Sequence, residues 1–398
     1  MSISEEANYR AVFEPAEHHR RIAATKARME EAGLDLVLCP DPSNINYLTG
    51  YDGWSFYTPQ LAVLAADEEL PFLITRQMDV STARMSAFLP DERLIGFPET
   101  LVHVPGDHPM RYAGEVLRDR GYATARIGVD HDAHYFSPAG FDAMKAALPD
   151  AKFIDCGRLV NWVRAVKSQP ELAVMREAAR LADHVMATAV ETIGPGVRQT
   201  DLAATISAAQ YGGTAGIAGD YPAIVPLIMT GEGSSAPHIT ARVTPIDDTG
   251  ITVLELTGVR HRYHCPISRT VHLGEPPKLI TDTVAVVADG MAAVVAEMRA
   301  GLTAEDVHAA WRRTAEPHGI TKASRIGYAV GLGYPPDWGE STISIRRDEP
   351  TVLEENQTVH IMLGIWNEDW GVSISNVVRV GANEGETLAA TPLDLIVK

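Results

Sequence analysis

The chain has 398 residues, 45% of them apolar, enough to bury a large core and to divide into two or three domains. Its 34 Lys and Arg against 52 Asp and Glu leave a net charge of −18, whose field repels nucleic acid and anionic membrane surfaces. No stretch approaches the roughly 18 unbroken apolar residues of a membrane span, and the start MSISEEANYR is acidic and polar where a secretory signal is basic and then apolar. The three cysteines, Cys39, Cys156 and Cys265, form no CxxC pair, so a cytoplasmic protein with reduced, buried thiols is expected.

Residues 17–33 carry helical spacing, GLDLVLCP (33–40) reads as a strand, and DPSNINYLTGYDG reads as a turn-rich loop. LAVLAADEELPFLIT supplies two strand-like runs around an acidic turn, and RIGVDHD (126–132) supplies another. An alternating α/β domain over residues 1–163 is predicted. Its segment INYLTGYDGWSFYTP crowds Tyr47, Tyr51, Trp54, Phe56 and Tyr57 together, a density that marks either a packed corner or a contact surface.

After Val166-Lys167-Ser168-Gln169-Pro170 the texture changes to a long helix, ELAVMREAARLADHVMATAVETI, with one apolar face and the stop signal GPGV beyond it. TDLAATISAAQ, the strand-like AIVPLIMT and GITVLELTGV, a helix near 280–299 and strands from TVHIMLGIW to NVVRV complete a second α/β domain, residues 164–398. There is no GxSxG, HExxH, GxxxxGK[ST] or GxGxxG signature. GYAVGLGYPP runs into prolines and reads as a tight turn, and the pairs Arg312-Arg313 and Arg346-Arg347 are too isolated to form a nucleic-acid patch.

The helix after VKSQPELAVMREAA, the segment SSAPHI, the strand pair ending in SRT, the turn GYAVGLG and the tail IMLGIW...SISNVVRV follow one another in an order that resembles the creatinase/prolidase (M24) family. The likeness covers nearly the whole chain. It implies an α/β (α+β) protein: a creatinase-type N-terminal α/β domain followed by a C-terminal catalytic domain of the pita-bread fold. It also marks five positions at which metal-using members carry ligands, occupied here by Glu255, Pro266, Tyr328, Met362 and Ser375. One remaining carboxylate cannot hold two divalent ions, so neither a metal nor another cofactor is expected.

Likeness to the metal-free creatinase branch implies His238, in SSAPHIT, as the proton-transfer group and Glu255, in VLELTG, as the acidic group beside it. The bland readings are a loop histidine and an ion-pair partner of Arg260 or Arg262. The acidic groups that clamp a guanidinium in creatinase fall on Ser268 and Met362, which disfavours creatine. What remains is a carboxylate and a histidine among Tyr328, Tyr334, Trp338, Trp366 and Trp370, a setting for a compact cation with delocalised charge. Within the family the pattern is most similar to the members that open the cyclic amidine of ectoine. That likeness implies metal-independent hydrolysis of ectoine, and of hydroxyectoine, to N-acetyl-2,4-diaminobutyrate. The substrate contacts it implies are Tyr328, Trp338, Met362 and Trp366, with Arg346 on the substrate carboxylate and Arg347 as its surface neighbour. It further implies a homodimer in which the partner's N-terminal domain brings Tyr51, Asp52, Trp54 and Phe56 over the site. Another metal-free amidino- or guanidino-acid hydrolase, and an inactive peptide-binding protein of the same fold, are the alternatives.

Overall fold

In the computed structural model the chain divides after Arg164 into two units, the second running from Ala165 to Lys398. Residues 12–398 are described; the first eleven, part of the acidic start read above as lacking a secretory signal, lie outside the described residues.

The N-terminal unit is built on β1 (Leu36–Cys39), β2 (Leu61–Ala65), β3 (Phe72–Arg76), β4 (Leu94–Phe97), β5 (Arg126–Val129) and β6 (Lys152–Asp155), in the order β4-β3-β2-β1-β5-β6. The sheet is mixed: β1 is antiparallel to β2 and parallel to β5. Two elements depart from the sequence expectation: in the C-terminal unit GYAVGLGY, read as a tight turn, is the paired strand Gly327–Tyr334, and the other lies in this unit. DPSNINYLTG, read as loop, contains the helix Pro42–Thr49. Its turn-like residues serve as helix punctuation: Asp41 caps the N-terminus by accepting from Ser43 N at 2.7 Å, Pro42 starts the first turn, and Gly50 closes the helix at φ 75°.

The same segment resolves the two readings of the aromatic run residue by residue. Tyr47 and Tyr51 are buried, Tyr51 Oη lying 2.6 Å from Ser55 Oγ, which in turn donates to Gln60 Oε1 at 2.7 Å. Trp54 and Tyr57 are exposed, and Phe56 is partly buried with its ring 4.9 Å from that of Trp54. The corner is packed by the first pair, and the surface is formed by the rest.

The C-terminal unit is a nine-stranded sheet whose main path is β11-β10-β12-β13-β9-β8-β7. These strands are β7 (Leu227–Thr230), β8 (Gly250–Arg260), β9 (Tyr263–Leu273), β10 (Gly327–Tyr334), β11 (Asp337–Ile345), β12 (Thr358–Trp366) and β13 (Gly371–Arg379). The helix Gln169–Thr192 packs on β8 and β9 and opens with a capping box between Ser168 and Glu171. Gly258 permits that contact: a Cβ there would stand 2.1 Å from Ala178 O and 2.2 Å from Ala182 N. The helix Lys278–Glu297 is long and apolar enough to cross a membrane by length and composition, yet it packs on β12, β13 and the helix Ala304–Ala315 with Val284, Val287, Met291 and Val294 buried. Cys39 and Cys265 are buried and Cys156 partly buried, all three as free thiols.

Candidate active site

Cross-strand pairing assembles the site. Glu255 on β8 pairs with Ser268 on β9, Ser268 with Ser375 on β13, and Ser375 with Met362 on β12. Directly paired residues point to one face, and so do residues two apart on a strand. Pro266 therefore joins this face beside Ser268, His360, Gly364 and Trp366 join it beside Met362, and Tyr328 joins it by pairing with His360. All five positions marked by sequence share one face. Gly258, three residues from Glu255, points to the opposite face, where the helix Gln169–Thr192 packs.

Arg269 fixes the row from behind. Its guanidinium is buried and donates to Ser268 O at 2.6 Å, Ser375 O at 2.8 Å and Asn376 Oδ1 at 3.0 Å, tying β9 to β13 where they carry the site.

Glu255 is only 7% exposed, and among the described residues its carboxylate has neither a hydrogen-bond nor an ion-pair partner. The bland reading of Glu255 fails because both neighbouring arginines are engaged elsewhere: Arg260 with Glu177 at 2.9 Å and Arg262 with Asp220 at 3.1 Å. Burial pushes the Glu255 carboxyl up to about 7, opposed by the charge of Lys322. Holding it ionised therefore costs roughly 3 kcal/mol relative to water. Lys322 is pushed down to about 8 by its own burial; its ammonium donates to Gly364 O at 2.9 Å and makes no contact ion pair with Glu255.

At the other end of the row the polar groups are chained together. Trp338 Nε1 donates to Tyr328 Oη at 2.9 Å, Tyr328 Oη lies 3.0 Å from His360 Nδ1, and His360 Nε2 lies 2.7 Å from Ser375 Oγ. Burial holds His360 down to about 3, so its ring is neutral and carries a single proton near neutral pH. Burial and the nearby Glu255 charge raise Tyr328 above the usual phenol range. Two former ligand positions, Tyr328 and Ser375, are thus joined through one imidazole.

The remaining nominated residues divide. Trp338 is buried, and Met362 and Trp366 are partly buried on the site face. His238 is exposed on the loop after the 3-10 turn Gly231–Ser235, with φ 73° in the left-handed region that non-glycine residues occupy at a cost. The bridge from Thr240 to Leu227, itself paired with Glu255, brings this loop beside β7, and Ile239 packs with Trp366 around Leu227, Met229 and Val253. The side chain of Arg346 is exposed and its guanidinium is paired with Glu349 at 3.1 Å. Arg347 instead lines a cleft of about 260 Å³ with His308, Trp311, Arg312 and Lys322, and is paired with Glu316 at 3.5 Å. Tyr51, Asp52, Trp54 and Phe56 belong to the N-terminal unit.

Sequence reasoning passed over His360, Lys322 and Arg325. His360 stands two residues before Met362 on a strand, so the two-residue period alone places it on the site face. Lys322 and Arg325 lie on the connection before β10, where no periodicity marks them.

The donor set does not fit a pair of divalent ions. Of the five positions only Glu255 offers a carboxylate, and among the described residues no three His, Cys, Asp or Glu side chains converge on a common point.

A creatinase-like α/β unit joined to an antiparallel pita-bread sheet with its site on one face defines the class. Residues 21–166 match the creatinase/prolidase N-terminal domain and residues 173–382 match metallopeptidase family M24. The chain belongs to that family and is a hydrolase acting on C–N bonds. It is 40% identical to an uncharacterized hydrolase/peptidase of Sinorhizobium fredii over 97% of this chain and 98% of that one. It is 35% identical to the ectoine hydrolase of Halomonas elongata, again over 97% of this chain and 98% of that one. The crystal structure of a prolidase from Thermococcus sibiricus superposes with a TM-score of 0.83 at 18% identity, over 96% of this chain and 99% of that one, a likeness of fold alone.

Proposed function

We propose that this protein hydrolyses the cyclic amidine ring of ectoine, without a metal, to an N-acetyl-2,4-diaminobutyrate. The observation that carries the reading is the Glu255 carboxylate, buried and without a hydrogen-bond or ion-pair partner among the described residues, on a face that also carries Tyr328 and Trp366, with Trp338 bonded to Tyr328. A buried polar group ordinarily has a partner, and a delocalised cation supplies one here while packing against aromatic faces. The identity to a relative named ectoine hydrolase supports the choice of amidine.

The reaction adds water across one ring bond. An oxygen bonds to the amidine carbon, one carbon–nitrogen bond breaks, the departing nitrogen takes a proton, and the former amidine carbon becomes the acetyl carbonyl. Ionised Glu255 makes the attack, as the nucleophile of a short-lived adduct or as the base that aims a water, and His238 carries the proton to the leaving nitrogen. Acid-quench mass spectrometry separates the two routes, since only the first adds substrate mass to the Glu255 peptide. Met362 and Trp366 pack against the ring and its methyl group. In this reading the protein is a homodimer in which the partner's N-terminal domain covers the site, with Trp54, Phe56 and Asp52 as the covering surface and buried Tyr51 holding their loop in shape.

The test is incubation of EDTA-treated protein with ectoine, followed by NMR. Ring opening to N-acetyl-2,4-diaminobutyrate is expected at the same rate with or without chelator. Absence of turnover under both conditions sinks the ectoine reading; turnover that appears only with added divalent ion sinks the metal-independent mechanism.

A further inference from the structure

We infer that Arg325 is the residue that takes the substrate's carboxylate, so that the ring is held between a guanidinium at one end and Glu255 at the other. The inference rests on the cyclic-amidine reading above, which supplies a substrate with a carboxylate close to its amidinium. Arg325 stands with its guanidinium carbon 4.3 Å from the centre of the Tyr328 ring. That ring is held by hydrogen bonds from Trp338 and with His360, so the surface on which the guanidinium rests is fixed.

The loop that carries Arg325 is fixed as well. At its start the Lys322 ammonium donates to Gly364 O at 2.9 Å; at its end Ile326 N donates to Ile345 O at 2.8 Å and Met362 N donates to Ile326 O at 2.8 Å. A cation between two such pins is preorganised, and little further ordering is required when a ligand arrives.

Several other cations on neighbouring segments are committed, whereas Arg242 on the His238 loop is exposed and, among the described residues, rests on no aromatic ring of the site. Arg346 is paired with Glu349, Arg347 with Glu316, Arg312 with Glu305 and Arg262 with Asp220, while the Lys322 ammonium is held on Gly364 O. Arg325 has neither a carboxylate nor a hydrogen-bond partner among the described residues, although the protein holds 52 acidic residues and a net charge of −18. Its side chain is exposed and stacked, which leaves the edge of the guanidinium open for a two-pronged contact. Tyr328 lies in the fields of both groups, Glu255 raising its phenol and Arg325 opposing that rise, so both charges lie near the same ring.

The experiment compares kcat/KM of wild type, Arg325→Gln and Arg325→Lys on two substrates: ectoine, and the same six-membered methyl amidine ring without its carboxylate. Arg325→Gln is expected to lose about 30-fold or more on ectoine, mainly through KM, and less than about threefold on the decarboxylated ring, as for removal of one charge-assisted pair. Arg325→Lys should fall between. Where turnover of the decarboxylated ring is too slow to follow, calorimetric binding of the two compounds gives the same comparison. Equal losses on both compounds, or no loss on ectoine, overturn the assignment while leaving the ectoine reading intact. A wild-type enzyme that neither turns over nor binds either compound overturns that reading and this inference with it.

Discussion

The row from β8 to β10 has two ends that treat polarity in opposite ways. At the Tyr328 end, the indole of Trp338, the phenol, the imidazole of His360 and the hydroxyl of Ser375 satisfy one another in an unbroken chain. At the Glu255 end, a carboxylate that is 7% exposed has no partner among the described residues, and the nearest cation stops short of a contact pair. A fully satisfied buried network is framework, because its orientations are fixed by its own bonds. An unsatisfied group in a folded protein costs free energy, and the cost persists where a ligand removes it. The ends thus divide the labour: one holds shape and the other holds chemistry.

Glu255→Gln acts at the chemical end and should have the largest effect. Turnover is expected to fall at least about 10²-fold, the lower range for loss of a general base or nucleophile, as read by NMR of ring opening. The same variant carries a pH signature. The Glu255 carboxyl sits at about 7 in the folded protein against 4.5 for an ordinary glutamate, so between those values the unfolded chain ionises while the folded one keeps its proton. Folded stability is then full below about 4.5 and falls as pH rises through about 7. Denaturant titrations should show Glu255→Gln gaining on wild type from pH 4.5 to pH 8, by up to about 3 kcal/mol. A difference that does not vary with pH would mean the carboxylate is solvated or paired, and the contrast between the two ends would collapse.

The reasons some of this was legible in sequence, and some was not, are physical. Glu255, Pro266, Ser268, Met362 and Ser375 lie on long strands whose register is set by burial on both faces, so motif order translated directly into a shared surface. His360 was recoverable from the same strand period and was passed over because it matched no ligand position. Loops offer no such period. Lys322 and Arg325 are placed by backbone pins to Gly364, Ile345 and Met362, contacts between segments far apart in the chain. Arg346 was nominated by motif position, yet it lies just beyond β11, where Glu349 three residues on holds it at the surface. In the N-terminal unit, Asp41, Pro42 and Gly50 were given their turn meaning when each was serving a helix end.

His360→Leu attacks the framework end. It removes the partner of Ser375 Oγ and one of the two partners of Tyr328 Oη, which keeps its bond from Trp338, while preserving apolar bulk. A buried hydroxyl left without its partner costs about 1–3 kcal/mol, and urea denaturation should show a loss of that size. Turnover should fall about 10- to 100-fold through misplacement of Tyr328 against the substrate. Tyr328→Phe, which keeps the ring under Arg325 and leaves His360 its bond to Ser375, should cost less of both. If His360→Leu is as stable as wild type, the chain is not the framework assigned to it.

Lys322→Met probes the boundary between the ends and should have the smallest effect at its optimum. The Lys322 charge is the influence that opposes the rise of the Glu255 carboxyl, while its ammonium anchors the loop on Gly364 O. Removing the charge leaves desolvation unopposed, so the carboxyl should hold its proton to higher pH. Ionised Glu255 is the reactive form, and the acid limb of kcat/KM should therefore move toward alkaline pH, with a loss of about tenfold at pH 7 that is recovered by about pH 9. A structural role for Lys322 alone predicts a different pattern, since loss of the anchor lowers kcat/KM by the same factor at every pH and leaves the limb where it was. The pH profile therefore separates the two: a displaced limb ties Lys322 to the charge of Glu255, and an undisplaced one assigns it to the framework with His360.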